Sequence, residues 1–126
     1  MKGKRILAVD DSVLITSMLS SMFEEEGYDY HTCKNGQEGL DTLKNDSNFD
    51  LIITDLNMPV LNGLEMLEEV QKDPTLNNIP IAMLTTEDKP ELKDKAKKLG
   101  VRVWLKKPFN KEKTLLAIDI LLRQKR

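Results

Sequence analysis

Cysteine and long apolar runs are scarce in this sequence, and each scarcity excludes a class of protein. Cys33 is the only cysteine among 126 residues, so no internal disulfide can form and the cytoplasm is the expected location. The apolar run behind the basic N-terminus stops at Val9, which is too short for a signal peptide. No run approaches the roughly 18 apolar residues of a membrane helix. We therefore expect neither export nor a membrane partner.

Excess charge, histidine and phosphate-binding glycine loops are lacking as well. The 19 basic residues nearly balance the 21 acidic ones, giving a net charge of −2, so nucleic acid is not an expected partner. No glycine-rich loop follows the first apolar run, which argues against a flavin or dinucleotide carrier. His31, the only histidine, lies in a polar stretch, and we expect it at the surface rather than in a metal site.

What the sequence does contain is a regular alternation of short strand patterns and helical patterns. The strand patterns are Ile6–Val9, Tyr28–Cys33, Leu51–Thr54, Ile81–Leu84 and Val101–Leu105. The first, third and fourth are apolar throughout, as in strands covered on both faces, whereas the second and fifth are partly polar, as at sheet edges. The pattern predicts a flavodoxin-like (βα)5 fold, a doubly wound parallel sheet with strand order 2-1-3-4-5. We expect one domain over residues 1–126.

Polar residues with related chemistry follow four of these strands closely. They are Asp10, Asp11, Asp55, Thr85 and Lys107. In an open parallel sheet the carboxyl ends of the strands line one crevice, so these side chains should meet there. Carboxylates bind Mg²⁺, an ammonium and a hydroxyl can contact phosphoryl oxygens, and a carboxylate can attack phosphorus to form an acyl phosphate. The set predicts a site for a divalent cation and a phosphoryl group.

Each of these residues has a simpler explanation when it is taken alone. The aspartates and Thr85 could cap the helices that follow them, and Lys107 could be solvated beside Lys106. Alternation along the fifth strand favours an inward Lys107, because it shares a face with Val103 and Leu105. All five residues together, in this order, are harder to explain as independent caps.

Four motifs at these positions resemble the receiver domain of two-component response regulators, and most closely the single-domain chemotaxis-type regulators. They are Ala8-Val9-Asp10-Asp11-Ser12, Thr54-Asp55-Leu56-Asn57-Met58-Pro59 with Asn62-Gly63, Met83-Leu84-Thr85, and Lys107-Pro108-Phe109. The likeness covers essentially the whole chain. It implies a cytoplasmic phosphoprotein that receives a phosphoryl group from a sensor histidine kinase and signals by phosphorylation-dependent protein binding, with chemotaxis as a candidate pathway.

The resemblance also assigns the acceptor and the metal ligands. Asp55 would be the phosphoacceptor in a Mg²⁺-dependent reaction. Asp11, Asp55 and the backbone carbonyl of Asn57 would bind the ion, with Asp10 acting through a water molecule.

Further roles follow from the same resemblance. Lys107 would contact the phosphoryl group, and Thr85 would move towards it after phosphorylation. The peptide bond between Lys107 and Pro108 would be cis. Asn57 and Glu87 occupy the two positions that tune dephosphorylation in this family, and they match the chemotaxis type.

Trp104 departs from the family pattern, which has Tyr or Phe three residues before the lysine. Its larger ring and its N–H leave two interpretations, a switch residue that rotates inward or a fixed cover of the edge strand. The resemblance implies that partners bind the face formed by the thinly apolar, lysine-rich helix Pro90–Leu99, the fifth strand and the last helix, and an acidic partner surface would suit these lysines. From composition alone, the same helix could equally be a solvated one that is held mainly by its ends.

Other functions stay open at the level of sequence. A phosphorelay intermediate and a phosphorylation-independent adaptor share the same features. An aspartate-nucleophile phosphatase is disfavoured, because Asn57 stands where such an enzyme needs an acid/base carboxylate. We expect a monomeric phospho-acceptor rather than an enzyme. No output domain follows the last helical pattern, so we do not expect DNA binding.

Overall fold

Strands and helices alternate along the chain in five successive pairs, as the sequence pattern predicts. A computed structural model describes residues 3–124. The elements are β1 (Arg5–Val9), α1 (Val13–Glu26), β2 (Asp29–Cys33), α2 (Gly36–Asn45), β3 (Leu51–Thr54), α3 (Gly63–Lys72), β4 (Ile81–Thr85), α4 (Pro90–Lys98), β5 (Val101–Lys106) and α5 (Lys111–Gln124).

The strands form one parallel sheet in the order β2-β1-β3-β4-β5, which confirms the flavodoxin-like fold. Every residue of β3 and β4 is buried, as are the residues of β1 after Arg5, and the partly polar β2 and β5 form the edges. Val9 pairs with Thr54 in the register of β1 against β3. The residues that follow them, Asp10 and Asp55, are therefore neighbours at the carboxyl edge of the sheet.

Two apolar layers stabilise the sheet, one on each face. The helices α2, α3 and α4 cover one face, where Leu43, Met66 and Leu67 are fully buried. The helices α1 and α5 cover the other face, where Phe23 and Ile118 are fully buried. Burial of this apolar surface is the main favourable contribution to folding, and it holds the carboxyl ends of the central strands in fixed positions.

A capping box and a glycine place the start of α3 close to Asp55. Asn62 accepts a hydrogen bond from the backbone of Glu65, whose side chain accepts one from the backbone of Asn62, so the pair forms a capping box. Gly63 follows, and a Cβ atom at this position would lie 2.2 Å from the Asp55 carbonyl oxygen. Only glycine allows α3 to begin this near to the end of β3.

A few local predictions differ from the structure. The spacing of Ile15, Met18, Leu19 and Met22 predicts an inward apolar stripe on α1, yet 37% of Met18 is exposed, while Phe23 is fully buried. β2 begins at Asp29 rather than Tyr28, because the Tyr28 N–H still bonds to Phe23 at the end of α1. His31 is exposed, as predicted, and Cys33 is buried at the end of β2. Within residues 3–124, the helices are too short or too polar to cross a membrane.

Candidate functional site

Three carboxylates meet at the carboxyl edge of β1 and β3. Asp10 and Asp55 follow these strands directly and are 3% and 6% exposed, whereas Asp11 is exposed at the surface. Each of the three offers an oxygen that lies within 4.8 Å of the oxygens from the other two. The structure therefore brings together the acids that the sequence predicts in one crevice.

Lys107 enters this cluster from the loop that follows β5. Its Nζ lies 2.9 Å from Asp10 Oδ2 and 2.9 Å from Asp55 Oδ2. Its backbone N–H donates to the Thr85 carbonyl at 2.9 Å, and its peptide bond to Pro108 is cis, as expected. Thus Lys107 points inward, as alternation along β5 predicts, and bridges the two buried carboxylates.

Backbone N–H groups fix the remaining oxygens of these two carboxylates. Ser12 N–H donates to Asp10 Oδ1 at 2.9 Å, and Leu56 N–H donates to Asp55 Oδ1 at 2.7 Å. Neither donor is evident from the sequence, because it depends on how the chain turns after each strand. With one oxygen held by the backbone and the other by an ammonium, Asp55 has a defined orientation in the crevice.

The helix-capping alternative is wrong for the residues of the crevice. The side chain that caps α1 belongs to Ser12, which accepts from Ile15 N, and α3 is capped by Asn62. Thr85 Oγ1 accepts a hydrogen bond from Glu87 N at 3.3 Å, before α4 begins. The aspartates and Thr85 are thus not used as helix N-caps.

Burial and mutual charge set the protonation behaviour of the site. Burial raises the pKa of Asp10 above its ordinary value, and the charge of Asp55 adds to this effect, although Ser12 N–H and the Lys107 ammonium oppose it. For Lys107, burial alone would lower the pKa, but its contacts with Asp10 and Asp55 outweigh burial and raise it. The two carboxylate contacts therefore favour the charged form of the Lys107 ammonium.

The cluster fits a hard divalent cation. Asp10 Oδ2 is buried, and within residues 3–124 its one polar contact is the ion pair with the Lys107 ammonium. The exposed Asp11 adds a third carboxylate at the mouth of the crevice. Oxygen donors with a surplus of negative charge are the ligands that Mg²⁺ takes.

The mouth of the crevice is bordered by the loop between β4 and α4. Thr85 is fully buried at the end of β4. Asn57 Nδ2 donates to Glu87 Oε1 at 2.8 Å, so the two predicted tuning residues touch each other. Trp104 is half-buried on β5, and its Nε1 donates to the Glu87 carbonyl at 3.1 Å. The sequence indicates that the indole N–H needs a partner, but it does not identify Glu87 as that partner.

Comparisons with known proteins agree with this geometry. The family model described as the response regulator receiver domain matches residues 6–119. The chemotaxis protein CheY4 of Vibrio cholerae has a solved structure that matches with a TM-score of 0.88 at 39% identity, covering 94% of this chain and 98% of that one.

Two curated relatives differ in how much of their own length the chain covers. The Protein PilH of Pseudomonas aeruginosa is 34% identical over 118 residues, which are 94% of this chain and 97% of PilH. A transcriptional regulatory protein of Haemophilus influenzae, the CpxR homolog, is 36% identical over 120 residues, and the chain spans 51% of its length. With the parallel fold, the acidic crevice and a family match over residues 6–119, the chain belongs to the response regulator receiver domain family.

Proposed function

We propose that this receiver domain accepts a phosphoryl group on Asp55 from a sensor histidine kinase, in a reaction that requires Mg²⁺. The observation that carries the proposal is the position of Asp55. Its carboxylate shares the Lys107 ammonium with Asp10 at 2.9 Å and lies within the three-carboxylate cluster. A nucleophilic carboxylate, a cation site and a fixed positive charge are the parts that phosphoryl transfer needs.

The chemistry of the transfer follows from these parts. An oxygen of Asp55 would attack phosphorus, and the electron pair of the P–N bond would leave with the imidazole nitrogen of the kinase. Mg²⁺ held by Asp11, Asp55 and the Asn57 carbonyl, with Asp10 acting through water, would neutralise phosphoryl oxygens. Lys107 is placed to exchange its contact with Asp55 for one with the phosphoryl group.

Thr85 is the residue proposed to report the phosphoryl group to the rest of the domain. Its hydroxyl is buried at the end of β4 and accepts a hydrogen bond from Glu87 N at 3.3 Å. Movement of the hydroxyl towards a phosphoryl group would release this bond and free the loop that leads into α4.

The output surface is proposed to be the face formed by α4, β5 and α5. A groove of about 620 Å³ lies between α4 and β5, with Val101, Val103 and Trp104 on its walls and the cations of Lys93, Lys97 and Arg102 around it. Apolar walls with a cationic border favour a protein partner with acidic and apolar side chains. The similarity to the chemotaxis protein CheY4 supports chemotaxis as the pathway, with a phosphorelay intermediate as the alternative.

Labelling with acetyl phosphate and Mg²⁺ tests the acceptor and the metal together. The unsubstituted protein should gain one phosphoryl group, seen by intact-protein mass spectrometry, and Asp55→Asn should gain none. Asp41→Asn is the matched control, because Asp41 is an exposed aspartate on α2 and should not affect labelling. Chelation of the metal should abolish labelling. Undiminished labelling of Asp55→Asn would refute the proposed acceptor, and steady release of phosphate from an added phosphoester would indicate a phosphatase instead.

A further inference from the structure

A chain of hydrogen bonds links Trp104 on the edge strand to the mouth of the phosphoryl site. The indole Nε1 donates to the backbone carbonyl of Glu87 at 3.1 Å. The Glu87 carboxylate in turn accepts from Asn57 Nδ2 at 2.8 Å. Asn57 is two residues beyond Asp55, and Glu87 is two residues beyond Thr85. The Asn57–Glu87 contact therefore joins the loops that follow β3 and β4 at the open side of the crevice.

The indole that contacts Glu87 lies beside the ammonium group of Lys93, which also pairs with the loop before α4. Lys93 on α4 places its Nζ 5.8 Å from the centroid of the Trp104 ring. The same Nζ lies 2.7 Å from Asp88 Oδ1, and Asp88 Oδ2 lies 3.4 Å from the Nζ of Lys106. The loop is thus held at Glu87 by the indole N–H from β5, and at Asp88 by the ammonium groups of Lys106 on β5 and Lys93 on α4.

We propose that Trp104 is a positioning residue for the phosphoryl site, acting through Glu87. By fixing the Glu87 backbone, the indole N–H keeps the Glu87 carboxylate on Asn57, and this bridge restricts the approach of water to a phosphoryl group on Asp55. The proposal rests on the proposed function, because it concerns the lifetime of the phosphorylated Asp55. Phenylalanine at this position would have no donor for the Glu87 carbonyl.

The step that Trp104 would control is hydrolysis of the acyl phosphate. A water oxygen attacks phosphorus, and the bond between phosphorus and the Asp55 oxygen breaks with its electron pair returning to the carboxylate. The proton of the attacking water goes to solvent, and inorganic phosphate leaves. A closed bridge between Asn57 and Glu87 limits access of this water, so loosening the bridge should speed hydrolysis.

The test is a double-mutant cycle on the rate of phosphoryl loss from Asp55. After labelling with acetyl phosphate and removal of the reagent, Trp104→Phe should lose the phosphoryl group about fivefold faster, the rate equivalent of one ordinary hydrogen bond. Glu87→Ala should also be faster. Adding Trp104→Phe to Glu87→Ala should change the rate no further, because the carboxylate that Trp104 positions is already gone.

Two controls separate positioning from a general loss of structure. Tyr30→Phe removes one side-chain donor at the opposite edge of the sheet, where Tyr30 donates to Glu24, and should leave the rate unchanged. Because the sequence has one tryptophan, biosynthetic replacement with benzothienylalanine exchanges the N–H of Trp104 alone for a sulfur atom, and it should reproduce the effect of Trp104→Phe in a folded protein.

The outcomes of these tests distinguish a failure of the role proposed for Trp104 from a failure of the role proposed for Asp55. Absence of labelling in the unsubstituted protein would overturn the acceptor assignment and, with it, the role of Trp104. Normal labelling with an unchanged rate of loss in Trp104→Phe and in the benzothienyl protein would overturn the role of Trp104 alone. An equal acceleration by Trp104→Phe with and without Glu87→Ala would also overturn it, because Trp104 would then act by another route.

Discussion

The helices α3 and α4 both start after loops that border the candidate site, yet they are anchored very differently. α3 buries Gly63, Leu64, Met66, Leu67 and Val70 and begins with a capping box. Among the described residues of α4, Ala96 alone is buried, and the helix starts at Lys89 without a side-chain cap. The loop before α3 carries the proposed acceptor, Asp55, and the loop before α4 follows directly on Thr85, the residue proposed to sense phosphorylation, at the end of β4.

This difference means that α3 and the neighbouring Asp55 are rigid, whereas α4 can move. Apolar packing and the capping box hold α3, so the end of β3 and Asp55 have little freedom. α4 depends on contacts that are polar or half-exposed, such as Lys93 with Asp88 and with the Trp104 ring. Segments with few buried apolar contacts open at low free-energy cost. A phosphoryl group on the anchored side could therefore shift the weakly anchored side without disturbing its own site.

The largest expected effect comes from truncating one leucine in each helix. Leu67 in α3 is fully buried, whereas Leu92 in α4 is half-buried. Leu67→Ala should lower the free energy of unfolding by about 3 kcal/mol, because it leaves a cavity, and Leu92→Ala by about 1 kcal/mol. Urea unfolding measures both. Equal losses in the two variants would contradict the difference in anchoring.

A smaller effect is expected from the residues that start the two helices. Asn62→Ala removes a side chain that caps α3 and should cost about 1 kcal/mol of unfolding free energy. Lys89→Ala removes a side chain that caps nothing in the described chain and should leave stability unchanged. A larger loss for Lys89→Ala than for Asn62→Ala in thermal melts would show that α4 is held at its start after all.

The smallest expected effect concerns the loss of stability caused by burying the charged Asp10 beside Asp55, at the end of β1. Burial raises the folded-state pKa of Asp10 above its ordinary value of 3.8, so the folded protein binds this proton more tightly than the unfolded chain does. As the pH rises from 3.8 through the higher pKa of the folded state, Asp10 ionises, and its burial then lowers the stability of the folded protein. Asparagine removes the charge and keeps one acceptor oxygen, which can serve either Ser12 N–H or the Lys107 ammonium.

Without metal, Asp10→Asn should raise the free energy of unfolding at neutral pH, on the order of 0.5 kcal/mol. The gain should disappear as the pH falls towards 3.8, where Asp10 is protonated in both states. Urea titrations of both proteins in EDTA at neutral and acidic pH measure it. A gain that stays constant across this pH range would show that the charge of Asp10 is not its cause.

Much of the fold can be predicted from the sequence, because apolar runs define buried parallel strands. The run Leu51–Thr54 is a strand with the predicted bounds, and polar residues in β2 and β5 correctly place those strands at the edges. The buried face of a helix is harder to predict, because a flexible side chain such as Met18 can have the spacing of the inward apolar residues and still be partly exposed.

The candidate site is predictable where topology alone brings residues together. Asp10 and Asp55 meet because their strands are adjacent and parallel, and alternation directs Lys107 inward. The contact between Trp104 and Glu87 is not predictable in this way, because it depends on the path of the loop after Thr85. The roles of acceptor and metal ligand stay predictions until labelling tests them.

Hydrogen exchange with and without beryllofluoride and Mg²⁺ tests most directly whether a signal at Asp55 reaches α4 while α3 stays fixed. Without activation, amides of α4 should exchange faster than those of α3. Addition of beryllofluoride, which mimics a phosphoryl group on Asp55, should change exchange in α4 and in the loop after Thr85, leave α3 unaltered, and have no effect on Asp55→Asn. Unchanged exchange in α4, or an equal change in α3, would contradict the account.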